Sequence, residues 1–78
     1  MTEDRFKEVI YGPYRDSWKV VKILQEATDD SPKLQEVLSN YMSEIDKFSE
    51  KYEGNEFAGL LRKMMLSADD TVMRMGRA

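Results

Sequence analysis

Residues 32–54, PKLQEVLSNYMSEIDKFSEKYEG, decide the fold. Leu34, Leu38, Tyr41, Ile45, Phe48 and Tyr52 recur at spacings of four, three, four, three and four, one face of an α-helix of about five turns. Pro32 suits the first turn, where its missing N–H is not needed. Ser31 can cap that end, and Asp29 and Asp30 set negative charge against the positive end of the helix dipole. Gly54 can take the left-handed conformation that ends a helix. The spacing therefore predicts a helix over 32–53, about 30 Å long.

Outward from this segment, two more helices are predicted. On the C-terminal side Asn55 caps a helix over 56–75, with Phe57, Leu60, Leu61, Met64, Ala68, Val72 and Met75 as its apolar face. Met65, Leu66 and Met73 fall outside that stripe, and Arg74 and Arg77 sit at the negative end of the dipole. Gly59, inside this helix, is expected to mark a close helix crossing, since glycine otherwise costs up to about 1 kcal/mol there. On the N-terminal side Gly12-Pro13 reads as a break, and Pro13 as the start of a helix over 13–28. Its apolar residues Tyr14, Trp18, Val20, Val21, Ile23, Leu24 and Ala27 cover more than half the circumference at about 100° per residue. Residues 2–11 carry Phe6, Val9 and Ile10 at i, i+3 and i+4 and read as a short helical or turn segment docked on the rest.

No segment alternates with period two, so there is no case for strands. The expectation is an all-α fold: one domain over 1–78, a small antiparallel three-helix bundle with the N-terminal segment packed on it. Trp18, Val21, Leu24, Leu38, Tyr41, Ile45, Phe48, Leu61, Met64 and Ala68 are expected to face the core.

Composition removes much chemistry. The 78 residues contain no cysteine and no histidine. Disulfides, thiolate metal sites and Ser–His or Cys–His catalysis are therefore excluded. The Glu-x-x-His motif of carboxylate-bridged metal bundles cannot be completed. The four glycines are scattered, so no phosphate-cradling loop is evident. Catalytic, cofactor and metal residues are all expected to be none. The net charge is −3, with residues 29–55 holding seven acidic and three basic side chains. Arg62 and Lys63 make at most a solvated basic face, interrupted by Asp69 and Asp70, so no nucleic acid is expected as partner. No apolar run approaches a membrane span. Met1 to Glu8 lacks the apolar block of a signal peptide. A cytoplasmic protein without membrane contact follows.

What remains is association. A short chain buries a small share of its surface and needs either very regular packing or a second subunit. The apolar excess on helices one and three points to a protein partner, with the chain itself, as a homodimer, the first choice. The expected interface residues are Tyr14, Trp18, Val20, Ile23, Ala27, Met65, Leu66 and Met73. The expected function is that of a small non-enzymatic intracellular helical protein acting by protein–protein interaction or self-association. The alternative is a small regulator or inhibitor, of the phage or mobile-element accessory type, that presents the acidic face of helix two.

Overall fold

The computed structural model describes residues 1–26 and 31–76, and the chain forms three helices with no strand among the described residues. Helix α1 spans residues 3–26: α-helical over Glu3–Phe6, π-helical over Lys7–Tyr11, α-helical over Gly12–Val21 and 3-10 over Lys22–Glu26. Helix α2 is Ser31–Lys51 and α3 is Glu56–Gly76. Ala27, Asp29, Asp30 and Arg77 lie outside the described residues, as does the capping role of the Ser31 side chain.

The expected break at Gly12-Pro13 is not a break. Proline has no N–H for the carbonyl four residues back, and its ring crowds that carbonyl. The chain absorbs the defect by widening one turn: the Gly12 N–H bonds to the Lys7 carbonyl, five residues back. Helix α1 thus runs through the proline, and the segment expected to dock separately is its first two turns. Thr2 caps it, its hydroxyl accepting from the Arg5 N–H at 3.2 Å. The Val9 carbonyl, deprived of a Pro13 donor, accepts instead from the side-chain amide of Asn55 at 2.9 Å. The Oδ1 of the same Asn55 caps α3 by accepting from the Ala58 N–H at 2.9 Å.

The turn between α2 and α3 follows from Gly54, whose φ of +85° is the left-handed conformation expected there. The Asn55–Val9 bond places the start of α3 beside the N-terminal half of α1, and the Tyr41–Met65 bond shows α3 running back along α2. Lys51, at the end of α2, bonds Asp16, while Ile23 and Glu26 adjoin Lys33 and Val37, so α2 runs antiparallel to α1. The result is the expected up-down-up bundle.

Val20, Leu24, Tyr41, Ile45, Phe48, Ala58, Leu61 and Met65 form one buried cluster. From Leu38 to Tyr52 the ladder on α2 is as read: Tyr41 and Ile45 are fully buried, Phe48 is buried, and Leu38 and Tyr52 pack at its edges; at the start of the helix Val37 is buried and Leu34 only half-buried. Tyr41 carries its polar end into the core by donating to the Met65 carbonyl at 2.6 Å. Burial, and secondarily the charge of Asp69, push its phenol up to about 12, so it stays a donor.

Two expected core residues are not in the core. Trp18 and Met64 are 59% and 50% exposed. On α1 the inward line is Pro13, Ser17, Val20 and Leu24, one step around the helix from Trp18. Ser17 tolerates burial because its hydroxyl donates to the Tyr14 carbonyl at 2.7 Å. On α3 the inward line is Ala58, Leu61 and Met65, which turns Met64 to the rim. The expected crossing at Gly59 is also absent, since a Cβ built there meets nothing within 4 Å.

Ile45→Ala removes the central rung of the buried ladder and should cost about 2–5 kcal/mol. Against a total of about 5 kcal/mol for a domain of this size, chemical denaturation should find the variant largely unfolded. A midpoint equal to the parent's would show that the ladder is not core. Asn55→Asp keeps the acceptor for Ala58 but loses the donor to Val9. Amide exchange should then quicken over residues 3–12 by about five-fold, the equivalent of one lost hydrogen bond of about 1 kcal/mol, while α2 amides keep their protection. Uniform quickening along the chain would contradict this local role.

Candidate interaction surface

The wheel of α1 fixes which side meets which neighbour. Around the inward line, Asp16 and Ile23 lie on the side of α2, to which Asp16 bonds directly. At about 100° per residue, Tyr14 and Val21 fall on the opposite side, that of α3, with Trp18 beyond them. On α3, Phe57 and Leu60 share a groove with Val9 and Ile10 of α1, and Met64 follows Leu60 by one turn. The adjoining rims of α1 and α3 therefore present Tyr14, Trp18, Leu60 and Met64 side by side, with Tyr11 at the crest of α1. Their exposures are 53% for Tyr11, 60% for Tyr14, 59% for Trp18, 63% for Leu60 and 50% for Met64. Together they offer roughly 500 Å² of apolar surface, taking a full aromatic side chain as about 150–250 Å². Isolated chains seldom leave a larger patch open.

The expected interface residues divide. Tyr14 and Trp18 stand on this face. Val20 and Met65 do not, because both are core: Met65 is fully buried and its carbonyl holds the Tyr41 hydroxyl. Ile23 and Leu66 are half-buried against the core of their own chain, so their apolar surface is already used. Met73 is half-buried as well. Ala27 lies outside the described residues. Tyr11, Leu60 and Met64 are the members that sequence reasoning missed. The signal for Tyr11 is its place within eight residues of Tyr14 and Trp18, whereas Leu60 and Met64 read as part of the apolar face of the third helix, with Met64 expected in the core. The apolar residues of the N-terminal segment are only partly covered: Val9 and Ile10 are half-buried, but Phe6 is 53% exposed.

The opposite side of α1 is polar and closed. The Asp16 carboxylate accepts from Lys51 Nζ at 2.8 Å and from the Tyr52 hydroxyl, with the Arg15 guanidinium 3.7 Å away. Partial burial pushes this carboxyl up, but the hydrogen bonds from Lys51 and Tyr52 and the charges of Lys51 and Arg15 outweigh it and leave it below its ordinary 3.8. Tyr52 is pushed up, by burial first and then by Asp16. The ring of Tyr52 also packs on Phe48, centroids 5.0 Å apart, which ties the polar clamp to the core. On α2 the acidic strip is exposed at Glu36, Asp46 and Glu50. Lys33 and Lys47 interrupt it, the latter paired with Glu44 at 3.2 Å.

A carboxyl lowered by folding stabilises the fold above its unfolded pKa, and that contribution is lost as pH falls through the folded one. Asp16→Asn should therefore be less stable than the parent at pH 6–7, and the gap between their thermal midpoints should narrow below about pH 4. A gap that does not change between pH 7 and pH 3 would mean that the carboxylate does not carry the clamp.

Comparison with known proteins finds no matching family model, no matching curated protein and no matching solved structure.

Proposed function

We propose that this chain acts by association rather than catalysis, and that its first partner is a second copy of itself, docked through the exposed face of α1 and α3. The observation that carries this is the row Tyr11, Tyr14, Trp18, Leu60 and Met64, half or more exposed on adjoining rims of one helix pair. Tyr and Trp are the side chains that most often anchor interfaces. Area supports a copy of the chain as occupant. An interface is about 57% apolar, so roughly 500 Å² of apolar surface belongs to a contact of about 900 Å² on each side. A stable pair needs about 800 Å². Two-fold pairing of identical faces is the commonest way a small chain closes such a patch. No described helix is long and apolar enough to cross a membrane, and a chain without cysteine suits the cytoplasm.

Trp18→Glu tests the reading. The side chain lies outside the core, so the monomer should keep its helical content and its denaturation midpoint. Sedimentation equilibrium should show the parent as a dimer at micromolar concentration, and the variant's dissociation constant raised at least a hundred-fold. Truncating an interface anchor costs about 2 kcal/mol or more, about thirty-fold, and burying the new charge adds to it. A parent that sediments as a monomer at every concentration would rule out self-association.

A further inference from the structure

We infer that the two copies pair antiparallel along α1, about a two-fold axis passing between Gly12 and Pro13; this rests on the self-association proposed above. The outward ridge of α1 is Glu3, Lys7, Tyr11, Tyr14, Trp18 and Lys22, all exposed. At its N-terminal end the ridge is joined by an ion pair, Lys7 to Glu3 at 3.5 Å. Spacings along the ridge are four, four, three, four and four, a sequence that reads the same in both directions. Positions 3, 7 and 11 are therefore as far from the axis on one side as 22, 18 and 14 are on the other.

The chemistry of the ridge is complementary to its own reversal. Tyr11 meets Tyr14 of the other copy beside the axis, an aromatic pair. Lys7 meets Trp18, a cation over the best aromatic acceptor. Glu3 meets Lys22, an ion pair. Parallel pairing in the same register would set Lys7 against Lys7, Lys22 against Lys22 and Glu3 against Glu3, three like-charge contacts. The distribution of charge supports the same choice of helix. Residues 1–26 hold five acidic and five basic side chains, while the chain as a whole carries −3. Pairing through α1 brings two neutral helices together and keeps the acidic α2 of each copy away from its counterpart. Leu60 joins the same contact: α3 runs parallel to α1, and an axis perpendicular to α1 within the interface brings the two α3 rims face to face near it.

Charge reversal tests the orientation. The variants are Glu3→Lys, Lys22→Glu and the double variant carrying both, with dimer dissociation read by sedimentation equilibrium at low salt. Each single change converts two symmetry-related attractions into two repulsions and should weaken the dimer about ten-fold, with the difference shrinking at high salt. The double change recreates both pairs with signs exchanged and should return affinity to within about three-fold of the parent. Glu3→Lys also removes the Glu3–Lys7 pair within the chain. Lys22→Glu breaks no described ion pair and is the cleaner arm. Orientation has its own readout in a nitroxide on Gln25→Cys, the sole cysteine of that variant. At 1.5 Å per residue, antiparallel pairing separates the two labels by roughly 35–40 Å, whereas parallel pairing brings them within about 15 Å. A double variant as weak as the singles, or a short label distance, overturns the antiparallel arrangement while leaving a Trp18-dependent dimer in place. A monomeric parent overturns both.

Discussion

A proline that cannot donate sets the geometry of this bundle. Pro13 removes one N–H from the middle of α1, the helix widens by one residue to pass it, and the carbonyl of Val9 is left to find another donor. Asn55 supplies that donor and, with its other atom, caps α3. One carboxamide thereby fixes the height of α1 against α3 and the direction in which α3 leaves the turn. The task needs a donor and an acceptor on one short side chain, which a carboxylate or an aliphatic residue does not provide. Gly54 contributes the left-handed residue that brings Asn55 into position.

The ladder of α2 was legible because every local signal agreed. Its apolar residues repeat at helical spacing, a glycine ends it, and it packs against both other helices, so a wide stripe is buried as a wide stripe. The start of α1 is hidden from the sequence for a physical reason. Locally, proline after glycine is a sound helix start. What permits the helix to continue is a hydrogen bond from a residue 46 positions away, and no window of sequence contains both partners.

The rotation of α3 has a different cause. Between Phe57 and Leu66 the apolar residues Phe57, Ala58, Leu60, Leu61, Met64, Met65 and Leu66 occupy so many positions that two neighbouring stripes fit the period equally well. Side-chain size and a single hydrogen bond decide between them. Ala58 is the small buried residue beside Ser49 and Tyr52 at the end of α2, and the Tyr41 hydroxyl reaches the backbone at Met65, so the line Ala58, Leu61, Met65 turns inward. Leu60 and Met64 are carried to the rim by the same rotation. Tyr11, Tyr14 and Trp18 could be singled out by residue type alone, but Leu60 and Met64 beside them could not.

The exposed face and the core share no anchor. Val20, Leu24, Ile45, Leu61 and Met65 hold the monomer together, whereas Tyr14, Trp18, Leu60 and Met64 contribute surface without closing the interior. The Asp16–Lys51–Tyr52 clamp lies on the far side of α1, joining α1 to α2 away from that face. In an obligate dimer the two sets would overlap, and stability would be inseparable from protomer concentration. For the proposed dimer this makes folding and association separable steps. The core, the Asn55 bridge to Val9 and the caps complete the monomer, so the proposed pairing through the aromatic ridge adds to its stability without being required for its formation.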